Sequence, residues 1–271
     1  MNKSRHSIFP SADQDASRAV TVEETAQTRA PSYRLAFDDP HFLTRDELRP
    51  VRLQLELLKP ELMMQDREIT STVVFFGGAK IPSPEDRVSA RTPYLSELSR
   101  YYEEARKLAR LIGTESLRHD GKRYVVVTGG GPGVMEAGSK GAAEVGAVSI
   151  GLNIVLPHEQ APNQYVTPEL CFNFHYFGIR KMHFLMRARA VTVFPGGFGT
   201  LDELFETLTL IQTERMERIP VLLYGERFWR RIVNWEALAE AGTISPDDLD
   251  LFSFVETAEE GWEILRAAEG F

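Results

Sequence analysis

From Thr72 to the end of the chain, short apolar segments alternate with helical periodicity, and this alternation restricts the fold more than any other feature. Four of the apolar segments read TVVFFGG, YVVVTGGG, AVTVFPGG and IPVLLYG. After the first of them, apolar residues recur at spacings of three and four in the run Leu95, Leu98, Tyr102, Ala105, Ala109 and Ile112. Continuously apolar strands that alternate with helices predict a doubly wound α/β fold, a parallel sheet with helices on both faces.

The N-terminal part of the chain has a different character. Residues 1–40 are rich in Ser, Ala, Thr and charged residues and lack apolar periodicity, so we expect a disordered or loosely attached tail. Residues 41–271 are expected to form one nucleotide-binding domain with an N-terminal helical extension over about residues 44–66.

An apolar stripe marks this extension, formed by Leu48, Val51, Leu55, Leu58 and Leu62. Spacings of three and four place these side chains on one helix face. Proline favours a helix start near Pro50 and a kink or stop near Pro60. The stripe could pack on its own domain or against a second subunit, and the sequence leaves both alternatives open.

Charge and cysteine content exclude several classes of protein. The 271 residues include 31 Lys+Arg and 39 Asp+Glu, a net charge of −8, which argues against a protein that coats nucleic acid or an anionic membrane. A single cysteine, Cys171, excludes a disulfide framework and fits a reducing compartment. Neither a membrane span nor a signal peptide is recognisable, so we expect a cytoplasmic protein.

Three strands end in glycine-rich turns, at Gly77-Gly78, at Gly129–Gly133 and at Pro195–Thr200. The carboxyl ends of parallel strands meet at one edge of a sheet, where ligands bind. Glycine allows backbone N–H groups to approach a phosphate, and the start of the next helix attracts its charge. The candidates for binding a phosphate ligand are Gly77, Gly78, Gly129, Gly130, Gly131, Gly133, Gly196, Gly197, Gly199 and Thr200, with Met135 as a further candidate.

The spacing of these glycines fits neither of the two commonest nucleotide motifs. A dinucleotide fingerprint that starts at Gly129 fails, because its last glycine position is Val134. A P-loop fails as well, because Ser139 and Lys140 follow Gly138 in the wrong order. A mononucleotide or a sugar phosphate is therefore favoured over NAD or a hydrolysable triphosphate.

Acidic residues follow the third turn. Thr200 and Glu203 have the spacing of a capping box, which would give Glu203 a purely structural role in the first turn of a helix. Glu206 would lie one turn further along the same face. A carboxylate repels a phosphate ligand, so its presence here indicates a chemical purpose, such as stabilising a positively charged sugar ring.

Basic residues lie on the preceding predicted helix, which we expect over about residues 179–188. They are Arg180, Lys181, Arg187 and Arg189. A solvated basic face is one interpretation. The alternative is that Arg180 and Arg187, seven residues apart on one face, bind phosphate and keep Glu203 ionised.

Two of these segments together resemble a known signature. Arg180-Lys181 followed by PGGFGTLDE over Pro195–Glu203 resembles the paired motif of the Lonely Guy (LOG) family of nucleoside-monophosphate phosphoribohydrolases. The segment GGGPGVMEAGSKGAA resembles the longer bacterial members, which include AMP and pyrimidine-nucleotide nucleosidases. The resemblance covers roughly Thr72–Tyr224.

The resemblance implies a modified Rossmann-like fold in a homodimer or higher homo-oligomer, without metal or cofactor. It implies hydrolysis of a nucleoside 5′-monophosphate to free base and ribose 5-phosphate. Arg180 and Glu203 would be catalytic, Gly196–Thr200 would hold the 5′-phosphate, and Lys181 and Glu206 would complete the site. The GGGPG segment favours AMP-like substrates over cytokinin nucleotides.

Several alternatives remain at this stage. The proton donor to the leaving base is unnamed, with His175 and His183 as candidates that are also explained as structural residues. Phe172, Phe174, Tyr176 and Phe177 could stack on the base or pack in the core. A non-catalytic nucleotide sensor or scaffold is the rival function. A lysine decarboxylase, a label often given to this family, would need pyridoxal phosphate on a lysine, and no residue is assignable to that role.

Overall fold

The structure is a computed structural model that describes residues 8–157 and 161–268. The chain divides into two compact units, Met1–Leu55 and Glu56–Phe271. No helix among the described residues is long and apolar enough to cross a membrane.

The first unit contains helix α1 (Ala12–Val20), the short helix α2 (Pro40–Leu43) and the start of α3 (Arg49–Asp66). Ser11 and Gln14 form a capping box at the start of α1, and Asp39 caps α2. No described residue of this unit is buried. The helices show that part of the 1–40 segment has local structure, while residues 1–7 lie outside the described part, so its loose attachment stays a prediction.

Helix α3 begins at Arg49, close to the start expected at Pro50, but it continues through Pro60 to Asp66. The expected kink or stop at Pro60 is therefore not an end of the helix. Pro60 and Met64 are buried, and Glu61 forms an ion pair with Arg187 at 2.6 Å. These contacts offset the hydrogen bond that a proline removes from a helix interior.

The second unit is built on seven parallel strands, which confirms the predicted α/β fold. They are β1 (Thr72–Phe76), β2 (Val125–Thr128), β3 (Ser149–Ile154), β4 (Cys171–Phe174), β5 (Ala188–Val193), β6 (Val221–Tyr224) and β7 (Ser253–Val255). All residues of β1, β2, β3 and β6 are buried. Successive side chains of a strand point to opposite faces, so complete burial means that helices cover both faces of the sheet.

The helices that follow α3 occupy the connections between strands, except for the last one, which follows β7. They are α4 (Pro93–Glu97), α5 (Arg100–Arg118), α6 (Val134–Glu144), α7 (Phe177–Leu185), α8 (Phe198–Gln212), α9 (Glu226–Ile232), α10 (Trp235–Glu240) and α11 (Ala258–Ala267). Two short helices, α9 and α10, lie between β6 and β7. Asn234 separates them, since its side chain caps the start of α10.

The strand order β4-β3-β2-β1-β5-β6-β7 positions the site. The chain proceeds outward from β1 to β4, then returns to the other side of β1 and proceeds outward again from β5 to β7. Strand order therefore reverses between β1 and β5. The crevice beyond the carboxyl ends of two such strands is the usual place for a ligand in an open α/β sheet.

Candidate active site

The three glycine-rich turns meet at this crevice. The N–H of Gly78, after β1, donates to the carbonyl of Pro195, after β5, at 2.9 Å. Gly133, which precedes α6, has a φ of +69° and lies against the carbonyl of Gly78. No residue with a Cβ fits this position without strain. The expectation that these turns share one edge of the sheet agrees with their contacts.

A cavity of about 260 Å³ opens between the turns. One wall is backbone, one is apolar and one is charged. The lining residues are Phe75, Phe76, Gly77, Gly78, Ala79, Gly129, Met135, Phe177, Arg180, Phe184, Gly197, Gly199, Thr200, Asp202 and Glu203. A concave site with a few polar groups on a mostly apolar lining is typical of small-molecule binding.

Of the glycine-turn residues, the Arg-Lys pair, Met135 and the two glutamates singled out from the sequence, most line this cavity, but some do not. Those outside the lining are Gly130, Gly131, Gly133, Lys181, Gly196 and Glu206. Sequence reasoning missed Asp202, Ala79 and the three buried rings of Phe75, Phe76 and Phe184. Asp202 lies inside the PGGFGTLDE motif, so its position next to Glu203 was the available signal.

Arg180 enters the cavity from the first turn of α7. Its Nε donates to the carbonyl of Leu152 in β3 at 2.7 Å, and its guanidinium lies 5.2 Å from the ring centre of Phe184. A Cβ at Gly129 would be 2.7 Å from Nη2 of Arg180 and 2.7 Å from Sδ of Met135. The absence of a side chain at Gly129 therefore makes room for the arginine.

The start of helix α8 corrects the predicted capping box. Gly197 is the N-cap, no side chain caps the helix, and α8 begins at Phe198 rather than near Leu201. The N–H groups of Thr200 and Leu201 both donate to the carbonyl of Gly197 at 3.0 Å. Thr200 is thus already inside the helix, and Glu203 lies in the second turn instead of the first. The glycines allow this early start, because they leave the backbone free to turn directly into the helix.

The early start leaves the first N–H groups of α8 available. In an α-helix these groups have no partner within the helix. Nothing lies within 4 Å of the position that a Cβ would take at Gly197 or Gly199, and both residues line the cavity. The open helix end is therefore suited to bind an anion.

Glu203 is deeply buried beside this helix end. Its side chain is 7% exposed, and its Oε2 has no hydrogen-bond partner among the described residues. The pKa of Glu203 is raised to about 7, mainly by burial and also by the charge of Glu206, while Lys181 and Arg180 act against this rise. A carboxyl group with a pKa near neutrality is suited to take up and release a proton.

Lys181 lies on α7 beside Arg180 but does not line the cavity. Its Nζ is 3.0 Å from Oδ2 of Asp202 and 2.9 Å from Oε2 of Glu206. Burial lowers the pKa of Lys181, but its hydrogen bonds to Glu206 and Asp202 outweigh that effect and raise it. The ammonium is therefore engaged by two carboxylates of α8.

The second glycine turn is held by an asparagine that the sequence did not single out. Asn163 donates its N–H to the carbonyl of Gly130 at 2.8 Å. Its Nδ2 lies 3.0 Å from the carbonyl oxygens of both Gly130 and Gly131. Carbonyl oxygens repel a phosphate, and here they are bound to Asn163. No local signal revealed this contact, since Asn163 is 33 residues from Gly130.

Arg187 and Arg189 do not belong to the site, which corrects the expected helix face shared by Arg180 and Arg187. Helix α7 ends at Leu185, two residues before Arg187. Both terminal nitrogens of Arg187 bind Glu61 of α3 at 2.6 Å, and its Nε donates to the carbonyl of Ile69. Arg189 lies in β5, and its guanidinium is 3.9 Å from Glu217. Both arginines are therefore paired away from the cavity.

The histidine and aromatic candidates also divide into residues that line the cavity and residues that lie outside it. His183 is buried against Phe174, and burial lowers its pKa, while His175 is exposed. Neither histidine lines the cavity. Phe172 and Phe174 are buried in β4, whereas the half-exposed Phe177 lines the cavity.

Two further features bear on cofactor chemistry. Within residues 8–157 and 161–268, no three His, Cys, Asp or Glu side chains are grouped in a way that could hold a metal ion. Cys171 accepts a hydrogen bond from Nδ2 of Asn153 at 3.3 Å, and burial raises the pKa of its thiol. This makes Cys171 a weak nucleophile.

The sequence matches the model of one protein family, described as possible lysine decarboxylase, over residues 135–265. The match includes the Arg180-Lys181 pair and the PGGFGTLDE motif. No curated protein matches the sequence.

Solved structures with a similar fold include two molybdenum cofactor proteins. One is a molybdenum cofactor binding protein from the phototrophic bacterium Rippkaea orientalis, with 20% identity and a TM-score of 0.49, covering 73% of this chain and 96% of that chain. Another is the molybdenum cofactor carrier protein from Chlamydomonas reinhardtii, with 18% identity and a TM-score of 0.47, covering 73% of this chain and 99% of that chain.

The decarboxylase description can be tested against the site. Pyridoxal phosphate would need a lysine that forms a Schiff base, which requires a neutral amine. Lys181, in the Arg-Lys pair, is held between Asp202 and Glu206, and its pKa is raised. These contacts keep the amine charged, so the residues of the site do not fit that cofactor.

Proposed function

We propose that the protein hydrolyses the N-glycosidic bond of a nucleoside 5′-monophosphate, as the resemblance of its Arg180-Lys181 pair and PGGFGTLDE motif to the Lonely Guy (LOG) family implies. The products would be the free base and ribose 5-phosphate, and the preferred substrate AMP-like. One observation carries this proposal: an open helix start, Arg180 and the buried carboxyl group of Glu203 line the same cavity. We expect the reaction to take place in the cytoplasm, where nucleotides are abundant.

In this proposal the 5′-phosphate binds at the start of α8. The N–H groups of Phe198 and Gly199 and the positive end of the helix attract the dianion. The guanidinium of Arg180, which lines the same cavity, supplies a full positive charge. Binding the phosphate positions the ribose, so that binding energy remote from the reacting bond lowers the barrier.

Glu203 then acts on the ribose. When the bond from C1′ to the base nitrogen breaks, the bonding electrons leave with the base and positive charge develops on the sugar. An ionised Glu203 stabilises that charge and accepts a proton from the water that attacks C1′. Because burial raises its pKa to about 7, Glu203 can hold this proton near neutral pH. The proton is then released, and the departing base takes up one proton, so that one water molecule is consumed for each bond broken.

The apolar wall of the cavity is suited to the base. Phe177 and Met135 line it from α7 and α6, and both side chains are accessible to solvent. A flat base can stack on an aromatic ring and contact a thioether. We expect the base to bind between these two residues.

We further propose a homodimer or a higher homo-oligomer. Leu58 and Leu62 of α3 are 48% and 52% exposed, and Met182 and Met186, in α7 and just after it, are each 48% exposed. The two helices are connected, because Glu56 accepts hydrogen bonds from the N–H groups of His175 and Tyr176 at the start of α7. Adjacent exposed apolar side chains are typical of an interface. Light scattering at micromolar concentration should give the mass of at least two chains, whereas a monomer would contradict this proposal.

The function is tested by incubating the purified protein with a panel of nucleoside 5′-monophosphates. Chromatography should detect free base and ribose 5-phosphate in equal amounts, with AMP among the best substrates. Calorimetry on the same samples separates the rival function: tight nucleotide binding without base release would identify a sensor or scaffold instead of an enzyme.

A further inference from the structure

Lys181 was expected to bind the nucleotide, but its contacts with two carboxylates indicate a different role. Its ammonium lies between Asp202 and Glu206, at 3.0 and 2.9 Å, and its side chain is only 17% exposed. These carboxylates flank Glu203 on α8, one residue before it and three residues after it. The ammonium donates a hydrogen bond to Asp202 and forms an ion pair with Glu206.

We propose that Lys181 is a positioning residue, which joins α7 to α8 and offsets the charges of Asp202 and Glu206 beside Glu203, instead of binding the phosphate. This inference rests on the proposed function, because it concerns the same site. In this proposal Arg180 and the start of α8 bind the phosphate, whereas Lys181 favours the ionised form of Glu203.

The first argument is geometric. Arg180 and Lys181 are neighbours on α7, and one turn of α8 carries Asp202, Glu203 and Glu206. The two ion pairs of Lys181 thus connect the helix that carries the arginine to the helix that carries the catalytic carboxylate. A partly buried ion pair that is also hydrogen-bonded fixes the separation of its elements more firmly than an exposed one.

The second argument is electrostatic. The charged groups facing Glu203 are Arg180 and Lys181 from α7, and Asp202 and Glu206 from its own helix. Like charges disfavour an ionised Glu203, and so does burial, whereas the two cations favour it. Removing the charge of Lys181 would leave two uncompensated carboxylates next to Glu203 and suppress its ionisation at neutral pH.

The experiment compares Lys181→Met with Lys181→Arg in the full-length protein. Carbon-13 NMR of protein labelled at the glutamate carboxyl carbons follows the titration of Glu203, whose signal is assigned as the one lost in Glu203→Gln. We expect the midpoint to rise by at least about one pH unit in Lys181→Met and to stay within about half a unit in Lys181→Arg, which keeps the charge. The acidic limb of the pH profile of kcat should move with it, while KM for AMP changes less than about threefold.

Two controls separate this effect from general damage. Lys107→Met removes a lysine that pairs with Glu104 at 2.8 Å on α5, outside the cavity lining, and should leave the titration unchanged. The double variant Lys181→Met with Glu206→Gln removes one charge of each sign and should recover part of the shift.

An unchanged titration in a folded Lys181→Met protein would overturn the inference, and so would a KM for AMP at least about tenfold higher with an unmoved acidic limb. That second result would identify Lys181 as a phosphate ligand. Because the NMR titration needs no turnover, it tests Lys181 even if the wild-type protein releases no base, which would count only against the proposed function.

Discussion

The glycine-rich turns after β2 and after β5 look alike in the sequence but differ in what surrounds them. At Gly130, Gly131 and Gly133 a Cβ would collide with Asn153, Met135 or the backbone of Gly78, and none of these glycines lines the cavity. At Gly197 and Gly199 nothing lies within 4 Å of the position that a Cβ would take, and both glycines line the cavity. The first turn therefore needs glycine mainly for packing, whereas the second leaves space for a ligand.

This difference teaches that glycine content alone does not locate a phosphate site. A glycine that is packed on all sides serves the fold, and a glycine next to open space at a helix start can serve binding. The turn after β5 also leads directly to Glu203. Variants in the two turns should consequently affect different properties, namely stability in the first and catalysis or binding in the second.

The largest effect is expected for Glu203→Gln, in the helix that follows the turn after β5. The amide keeps the shape of the side chain but can neither stabilise the developing sugar cation nor accept a proton from water. We expect kcat for AMP to fall at least about a hundredfold, with nucleotide affinity unchanged or higher. Near wild-type turnover in this variant would show that the carboxylate is not catalytic, and a matched Glu104→Gln variant on α5 should keep full activity.

Gly133→Ala tests the packed turn. The position has a φ of +69° and lies against the carbonyl of Gly78, so a methyl group forces strain on the backbone. We expect a loss of about 2 kcal/mol in the free energy of unfolding, measured by chemical denaturation. Unchanged stability would remove the distinction between the two turns.

Gly199→Ala is the matched variant in the open turn. Alanine is a better helix former than glycine, and no atom lies near the new methyl group, so stability should hold or rise slightly. The methyl group occupies space at the helix start, so KM for AMP should rise about tenfold, which corresponds to about 1.4 kcal/mol. A drop in stability with unchanged KM would show that the turn after β5, like the turn after β2, needs glycine for packing.

A separate prediction concerns the pH dependence of stability. The folded-state pKa of Glu203 is raised to about 7, above the ordinary value near 4.5, so the folded protein holds this proton more tightly than the unfolded chain. Glu203 therefore contributes stability below about pH 4.5 that is lost as the pH rises through about 7. Glu203→Gln should gain about 2.5 kcal/mol relative to wild type at pH 8 compared with pH 5, as measured by denaturation at both pH values. An equal difference at the two pH values would argue against a raised pKa.

Much of the fold followed from the sequence, because the alternation of apolar strands and helices is a local pattern. The strand–glycine–helix segments also predicted that Gly77, Gly129, Arg180 and Glu203 lie at one edge of the sheet, and all four line the cavity there. Contacts between distant side chains were not accessible in this way. The engagement of Lys181 by Asp202 and Glu206, and of Gly130 by Asn163, depends on how whole helices and loops pack.

Three local expectations failed for identifiable reasons. The capping box at Thr200 had the right residues, but Gly197 allowed the helix to start earlier. Helix α3 continued past Pro60 because burial of Met64 and the ion pair of Glu61 hold its last turn. Arg187 left the predicted helix face because α7 ends at Leu185 and the arginine binds Glu61 instead.

The central claim is that an open helix start anchors the phosphate of a nucleotide whose glycosidic bond is then hydrolysed at Glu203. The most direct measurement compares the release of adenine from AMP and from adenosine by the same wild-type preparation. We predict that AMP is cleaved and that kcat/KM for adenosine is at least about a hundredfold lower, because adenosine lacks the group that binds the helix start and Arg180. Equal turnover of the two compounds would contradict the account.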